Sequence, residues 1–510
     1  MSTTAEEPAP GGGTATADGS APADAAAALE PGVAGGDGQS VAAEPDPPVE
    51  ASARPSRRHR LVPWAIAAAL LPVYLVISIS RYGRLLTASP DLAIFEQAIQ
   101  GYSRFGAPIV DVKSPGYNLL GDHFHPLLAL MGPFYRVFPS PVTLLVLQAL
   151  LVAVSIVPVT RAAQRRLGTG PAVCLGLAYG WSWGLQSAID FDFHEICMAV
   201  PILAFALEAL LERRWWLAAS LSLLLLGVKE DLPITVAAVG LVLVLRRQWW
   251  LGLGLGAVGL GSFWLIVWKI IPAFNPDGVY AYGFAIEGGS DHAWWQLPVE
   301  LVWPGTKLAT LAYLLGIVGF VALRSPVLLV ALPTIAWRFH SDPAYWGTNY
   351  QYSAVLMPVV FLACIEVLHA WRERGRPWQR AYGAHVPAVA LAVAIALTPS
   401  FPFANLVRAS FWQDGAHVAG ARAAMSLIPD GATVQANVGI QPQLVHRTRL
   451  TFPGETPDGA DFIVIDKDWD SLDAQGAQEW VEQTYPEETY TLAYSDGRFT
   501  VLRREDAPAD

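Results

Sequence analysis

Apolar runs long enough to cross a bilayer recur between residues 61 and 399, and this recurrence restricts the chain to one class of fold. Lipid offers no partner to a backbone N–H or C=O, so a spanning segment closes its hydrogen bonds within a helix or a closed barrel. Runs of roughly 20 residues fit the helix, since a rise of about 1.5 Å per residue then matches a hydrocarbon core of about 30 Å. Of the 510 residues, 53% are hydrophobic and 15% charged, against about 25% charged in soluble domains. The expected fold is a polytopic α-helical membrane protein with about eleven transmembrane helices. They are placed at 61–80, 141–160, 171–187, 196–211, 215–228, 232–245, 250–271, 307–323, 326–337, 352–370 and 385–399. The segments at 215–228, 232–245 and 326–337 are short for such a core.

The connecting loops alternate in charge. Arginine fills one set, at 57–60, 161–166, 213–214, 246–247 and 372–380, with Arg324 alone in one loop. The other set, at 89–126, 188–195, 229–231, 272–306 and 338–351, holds Asp, Glu and His. Basic loops stay in the cytoplasm. Abundant Ala, Gly and Pro, with Arg far in excess of Lys, suggest a GC-rich bacterial genome. The expected location is therefore the bacterial cytoplasmic membrane, crossed many times, with the N-terminus inside. Residues 1–56 are small and polar, and are expected to be a disordered cytoplasmic tail. Their acidic start and the late apolar run do not fit a signal peptide. The net charge of −11 is shared largely between this tail and the C-terminal region and makes no basic surface for nucleic acid. Cys174, Cys197 and Cys364 lie in or beside apolar helices without metal-ligand spacing, and read as small buried hydrophobes.

From residue 400 the character changes. Helices are expected at 416–427 and 474–484, and strands at 433–436, 462–465, 490–493 and 499–502, the last two joined by Ser495-Asp496-Gly497. This is a small α/β domain, 400–510, extracytoplasmic if the helix count is odd. Asp466-Lys467-Asp468 reads as a strand-end turn.

Four polar clusters sit at the mouths of helices. Ser89-Pro90-Asp91 is a helix start, with Ser89 as cap and Pro90 in the first turn. Asp91 there either complements the helix dipole or acts as a general base. Asp122-His123-Phe124-His125 offers carboxylate and imidazole, donors suited to Zn²⁺ or Mn²⁺, or forms a local hydrogen-bonded turn. Asp190, Asp192 and His194 alternate with Phe191 and Phe193, so an extended backbone would put the three polar groups on one face. Lys229-Glu230-Asp231 interrupts an apolar run, where ionisable groups are costly and are functional candidates. A lysine in a non-basic loop suits a phosphate or pyrophosphate.

The motifs D-L-x-I-F-x-Q-A at 91–98, H-F-H-P at 123–126, Q-A-L at 148–150, D-F-H-E at 192–195 and V-K-E-D at 228–231 resemble the bacterial membrane proteins grouped as domain of unknown function 2079. Gln351-Tyr352-Ser353 and Ile428-Pro429-Asp430-Gly431-Ala432 extend the match. The layout is similar to the C-type glycosyltransferase superfold, whose members transfer a sugar from a polyprenyl-phosphate donor, some with a divalent metal. The resemblance implies that Asp91 occupies the first-loop catalytic acid position, although Leu92 departs from the commoner Asp-Glu doublet. The expected function is sugar transfer to an envelope acceptor on the outer face, with a lipid-linked sugar donor and membrane lipids as partners. Asp91, Asp192, His194 and Glu230 are the candidate catalytic residues, Lys229 the candidate phosphate ligand. Asp122, His123, His125 and Asp190 are the candidate metal ligands, for Mg²⁺ or Mn²⁺. A transporter or flippase for a lipid-linked or anionic solute is the alternative, and an envelope-assembly scaffold a second. A transporter would place its charges near the bilayer midplane and show repeat symmetry, whereas the clusters here lie at helix ends.

Overall fold

The computed structural model describes residues 57–87, 89–282, 303–456 and 458–507. The expected tail, 1–56, and most of the 272–306 loop lie outside the described residues. Each of the apolar segments is helical, in one piece or with a break. Among the described residues, five helices have both the length and the apolar composition to cross a membrane: Arg60–Gly83, Pro141–Leu167, Trp249–Phe274, Gln351–Arg374 and Pro377–Ser400. Trp215–Gly227, Leu232–Leu245 and Pro326–His340 are the short apolar helices expected from the sequence. The segment at 171–187 is broken at Trp181-Ser182 into Thr169–Gly180 and Trp183–Asp190.

Local chemistry sets the helix ends. Ser140 Oγ accepts from the Val142 N–H at 3.3 Å to start Pro141–Leu167. Arg165 and Arg166 occupy its last turn, where cations suit the helix dipole, and Gly168 at φ 94° ends it. Helices Leu232–Leu245 and Trp249–Leu265 approach backbone to backbone at Gly240 and Gly252. A Cβ on Gly240 would stand 2.6 Å from the Gly252 carbonyl oxygen. Small residues at this contact give the close packing that associates helices where lipid removes the hydrophobic drive.

The C-terminal sheet has the order β2-β1-β3-β5-β4. Strands β1 (Thr433–Ala436), β2 (Arg449–Thr451) and β3 (Phe462–Asp466) are parallel. Strands β4 (Tyr490–Ser495) and β5 (Phe499–Arg504) run antiparallel to each other, and β5 to β3. The four expected strands form, and the short Arg449–Thr451 is added. Asp496 closes the hairpin by accepting from the Arg498 and Phe499 amides at 2.9 and 2.8 Å. Asp466 ends β3 as a turn, paired with Arg498 at 2.9 Å.

The sheet splits its two faces between two cores, as alternation along a strand requires. Ile463, Ile465 and Leu502 pack with Ala477 and Val481 of helix Ala474–Thr484 and with Tyr485 just after it. Phe462, Val464 and Val501 join the same core as the membrane helices. The described residues accordingly form one compact unit. Side-chain amides stitch the junction. Gln97 Nε2 donates to the Leu450 carbonyl at 2.9 Å while its Oε1 accepts from the Val112 N–H at 2.9 Å. Gln100 donates to the Val445 carbonyl at 3.1 Å, and Gln443 to the Tyr82 carbonyl at 2.8 Å. Gln97→Leu would strand a buried carbonyl and a buried amide, at roughly 1–3 kcal/mol each. The variant is expected to melt several degrees lower and to expose the sheet domain to limited proteolysis before the helices.

Candidate active site

Four segments far apart in sequence meet beside the sheet domain. The first is helix Asp91–Ser103. Ser89 Oγ accepts from the Asp91 N–H at 3.2 Å, and the Pro90 carbonyl accepts from Ala93 and Ile94. The helix buries Leu92, Phe95 and Ile99 and presents Asp91 at its N-terminus, with a side chain 28% exposed.

The second segment is the turn after helix Trp183–Asp190. Asp192 takes φ 83°, a conformation that Asp tolerates better than bulky residues. Gln148 holds this turn from both sides. Its Nε2 donates to the carbonyls of Ala188, at 3.2 Å, and Asp192, and its Oε1 accepts from the His194 N–H at 3.1 Å. The clamp sets His194 Nε2 4.0 Å from Asp91 Oδ2. On the other side of the ring, Nδ1 lies 2.5 Å from Glu195 Oε2.

Lys229-Glu230-Asp231, between Gly227 and helix Leu232–Leu245, is the third segment. Lys229 Nζ donates to Glu195 Oε1 at 2.8 Å. A continuous path thus runs from Asp91 through His194 and the fully buried Glu195 to Lys229. Glu230 turns the other way, to the fourth segment. Its Oε1 lies 2.8 Å from His123 Nδ1 and accepts from the Tyr280 hydroxyl at 3.0 Å, while Oε2 accepts from the Phe124 N–H at 3.3 Å. Lys113 pairs with Asp122, and the His123 ring stacks on Tyr282 with centroids 4.6 Å apart. Gly121 lets this loop touch the end of helix Trp249–Phe274: a Cβ there would meet the Phe274 carbonyl group at 2.5 Å.

The charges hold one another in place. Burial would raise the Glu195 carboxyl, but His194 and Lys229 outweigh it and keep it well below the usual range. Burial likewise works against the Lys229 ammonium, and Glu195, Glu230 and Asp231 overcome it and hold Lys229 charged. Glu230, opposed by burial but held by His123, drops to about 2. Asp231 is the exception. Burial pushes it up to about 6 despite Lys229, and among the described residues its Oδ1 has no hydrogen-bond partner.

Asp91, His194, Lys229, Glu230, His123 and Asp122 are therefore brought into one neighbourhood. Three expectations are corrected. Asp190 does not share a face with Asp192 and His194. The helix ends on it and the positive φ at Asp192 breaks the alternation, so Asp190 pairs with Arg81 at 3.3 Å. Asp192 serves the turn through its carbonyl, in the grip of Gln148. His125 is fully buried, edge-on to Phe95 at 5.8 Å, with neither ring nitrogen hydrogen-bonded among the described residues; burial lowers it to about 4, so it is neutral. Among the described residues, no group of three or more His, Cys, Asp or Glu is arranged to hold a metal. Asp122, Glu195, Glu230 and Asp190 are each paired with a lysine, a histidine or an arginine. The expected metal ligands Asp122, His123, His125 and Asp190 are not gathered into such a group among the described residues.

Sequence reasoning passed over Glu195, Gln148 and Arg338. Glu195 stood in the D-F-H-E motif and Gln148 in Q-A-L, but their partners are distant in sequence. Arg338, buried in an apolar helix, fixes the loop before Gln351-Tyr352-Ser353. It donates to the Tyr345 carbonyl at 3.0 and 2.9 Å, the Gly347 carbonyl at 2.8 Å and Ser353 Oγ at 3.0 Å. That loop supplies an aromatic wall, with Tyr345 and Tyr352 at 4.9 Å and Tyr350 against Phe191 at 5.3 Å. Tyr352 lies within electrostatic reach of Lys229, Asp91 and Glu195.

Residues 81–507 match the family model described as predicted membrane protein, DUF2079. The chain belongs to this family. Among solved structures, the family member described here is similar to ArnT from Cupriavidus metallidurans in the apo state. The TM-score is 0.51 and the identity 13%, over 87% of this chain and 97% of that one. A structure of ArnT from the same organism bound to undecaprenyl phosphate gives 0.49 and 13%, over 86% and 97%. The first likeness shows the fold: the DUF2079 chain shares the overall fold of that ArnT chain. A comparison with curated proteins finds no match.

Asp231 yields a pH test. Its folded value of about 6 lies above the ordinary 3.8, so the folded state loses stability as pH rises through that interval. Asp231→Asn is expected to raise the melting temperature near pH 8, by an amount corresponding to up to about 3 kcal/mol. Near pH 4 it should change little. A gain that is equal at both pH values would contradict this origin.

Proposed function

We propose that this protein is a membrane glycosyltransferase that moves a sugar from a polyprenyl-phosphate donor to an envelope acceptor on the outer face. The observation that carries the reading is the difference between Asp91 and its neighbours. Glu195, Glu230 and Asp122 each have a cation or imidazole within 2.8 Å. Asp91 alone among these carboxylates is more than a quarter exposed, and among the described residues it has no such partner nearer than 4.0 Å. A carboxylate that is accessible, oriented by a helix N-terminus and close to an imidazole suits proton removal from an acceptor hydroxyl.

In this scheme the acceptor oxygen attacks the anomeric carbon. The bond from that carbon to the phosphate oxygen breaks, and the hydroxyl proton passes to Asp91. The lipid phosphate leaves carrying the bonding electron pair. Lys229 stabilises the charge that develops there, and Glu195 fixes its position. Tyr345, Tyr350 and Tyr352 offer ring faces and hydroxyls to a sugar. The helix-mouth location beside apolar surface suits a donor whose tail stays in lipid. His194 and Glu195 act as positioning residues for Asp91 and Lys229.

Binding and turnover separate the two roles. Native mass spectrometry of the purified protein with a panel of polyprenyl-phosphate sugars is expected to show retention of one donor. Lys229→Ala should weaken that retention by about tenfold or more, the loss of one charge-assisted contact. Asp91→Asn should keep donor retention and abolish transfer. Full transfer activity in Asp91→Asn removes it as the base. Retention of no donor by folded wild-type protein refutes the transferase.

A further inference from the structure

At the end of the bundle away from the candidate site, a cavity of about 770 Å³ opens between helices Arg57–Gly83 and Pro141–Leu167 and the start of Thr169–Gly180. Arg60, Arg161 and Arg165 line it, together with Pro63, Trp64 and Val157. The first helix measures how far this lies from the site. Arg81, near its other end, pairs with Asp190 beside the Asp192 turn. At helical rise, Arg60 and Arg81 stand about 31 Å apart, close to the hydrocarbon thickness of about 30 Å. The cavity thus sits at the opposite membrane surface.

Its charge is unbalanced. Arg161 holds Glu208 through Nε at 2.5 Å and also through its terminal nitrogen. Arg165 reaches Glu208 at 3.3 Å and Glu212 at 3.8 Å, and Arg166 reaches Glu212 at 3.6 Å. Among the described residues, the three lining arginines Arg60, Arg161 and Arg165, with Arg166 beside them, therefore stand against two carboxylates. Among the described residues Arg60 has no carboxylate partner. Glu208 is buried, whereas the Arg161 and Arg165 side chains stay 36% and 42% exposed. The carboxylates thus brace the arginines from behind and leave them reachable. Trp64, 53% exposed one turn further along the first helix, is the kind of side chain that settles at a headgroup boundary.

We infer that this cavity binds the headgroup of an anionic phospholipid from the leaflet at the arginine-rich end. A phosphodiester would lie against Arg60 and Arg165, with its acyl chains along Pro63, Trp64 and Val157. Planar guanidinium groups recognise phosphate oxygens in pairs, and basic pockets between membrane helices attract acidic headgroups. A zwitterionic lipid would bring its ammonium against the same arginines and gains less. The inference does not depend on the transferase reading.

The test uses full-length protein, delipidated in detergent and examined by native mass spectrometry with phosphatidylglycerol, phosphatidylethanolamine or inorganic phosphate. Phosphatidylglycerol should be retained about tenfold better than phosphatidylethanolamine. Arg60→Ala and Arg165→Gln should each reduce retention about fivefold, since one surface arginine contributes an effect of that order. Arg324→Ala, whose guanidinium lies over Trp371 and Trp378 outside this cavity, should not. Both cavity variants leave the Arg161–Glu208 pair intact, and their melting temperatures verify folding. Equal retention of the two lipids overturns the site, as does undiminished retention in the double variant. Displacement of the lipid by equimolar inorganic phosphate overturns the lipid as occupant in favour of a soluble phosphate compound.

Discussion

The pair between buried Glu195 and partly buried Lys229 is the contact on which the site depends. Desolvating two charges costs several kcal/mol per ion, and their attraction offsets this only when geometry and further partners are good. Glu195 meets the condition by also facing His194, and Lys229 by lying near Glu230 and Asp231. The pair ties the turn after helix Trp183–Asp190 to the start of helix Leu232–Leu245. Removing one partner leaves the other uncompensated in a dry setting, a loss of roughly 3–5 kcal/mol. Tyr352 lies within electrostatic reach of the Lys229 ammonium and of Asp91.

Neutral amides do the remaining positioning. Gln148 grips the Asp192 turn by carbonyl and N–H, and Gln97 bridges helix Asp91–Ser103 to the sheet domain. A side-chain amide carries donor and acceptor on one rigid group, so it can satisfy two backbone groups of different segments at once. The sheet domain is consequently part of the site's support. One face of its strands completes the membrane core, and its contacts fix the helix whose first residue is Asp91.

The two ends of the bundle are electrostatically distinct. At one end, carboxylates and cations pair inside a cluster; at the other, arginines outnumber the glutamates that brace them. Both arrangements use the same device, a buried glutamate holding a cation in a set orientation. Glu208 does this for Arg161 and Glu195 for Lys229. The difference is exposure of the cation, which decides whether it organises a site from within or faces an incoming headgroup.

The helical class, the order of the spans and their short members were legible in the sequence, because apolar length and periodicity are local properties with one physical outcome in lipid. Most of the sheet was legible for the same reason, and β2 was not, since Arg449–Thr451 is too short to carry a pattern. The motifs holding Asp91, His194 and Lys229 were legible as polar interruptions where such residues are costly. The pairings were not. His125 and Asp190 belonged to the same polar runs as His123 and His194, yet packing sent one into an apolar pocket and the other to Arg81. Sequence alone thus determined which residues stand at the helix mouths, because burial in lipid constrains each segment independently. The tertiary structure decided which of them meet, because partners drawn from residues 91, 123, 148, 194 and 229 are set by how helices pack, and no local rule contains that distance.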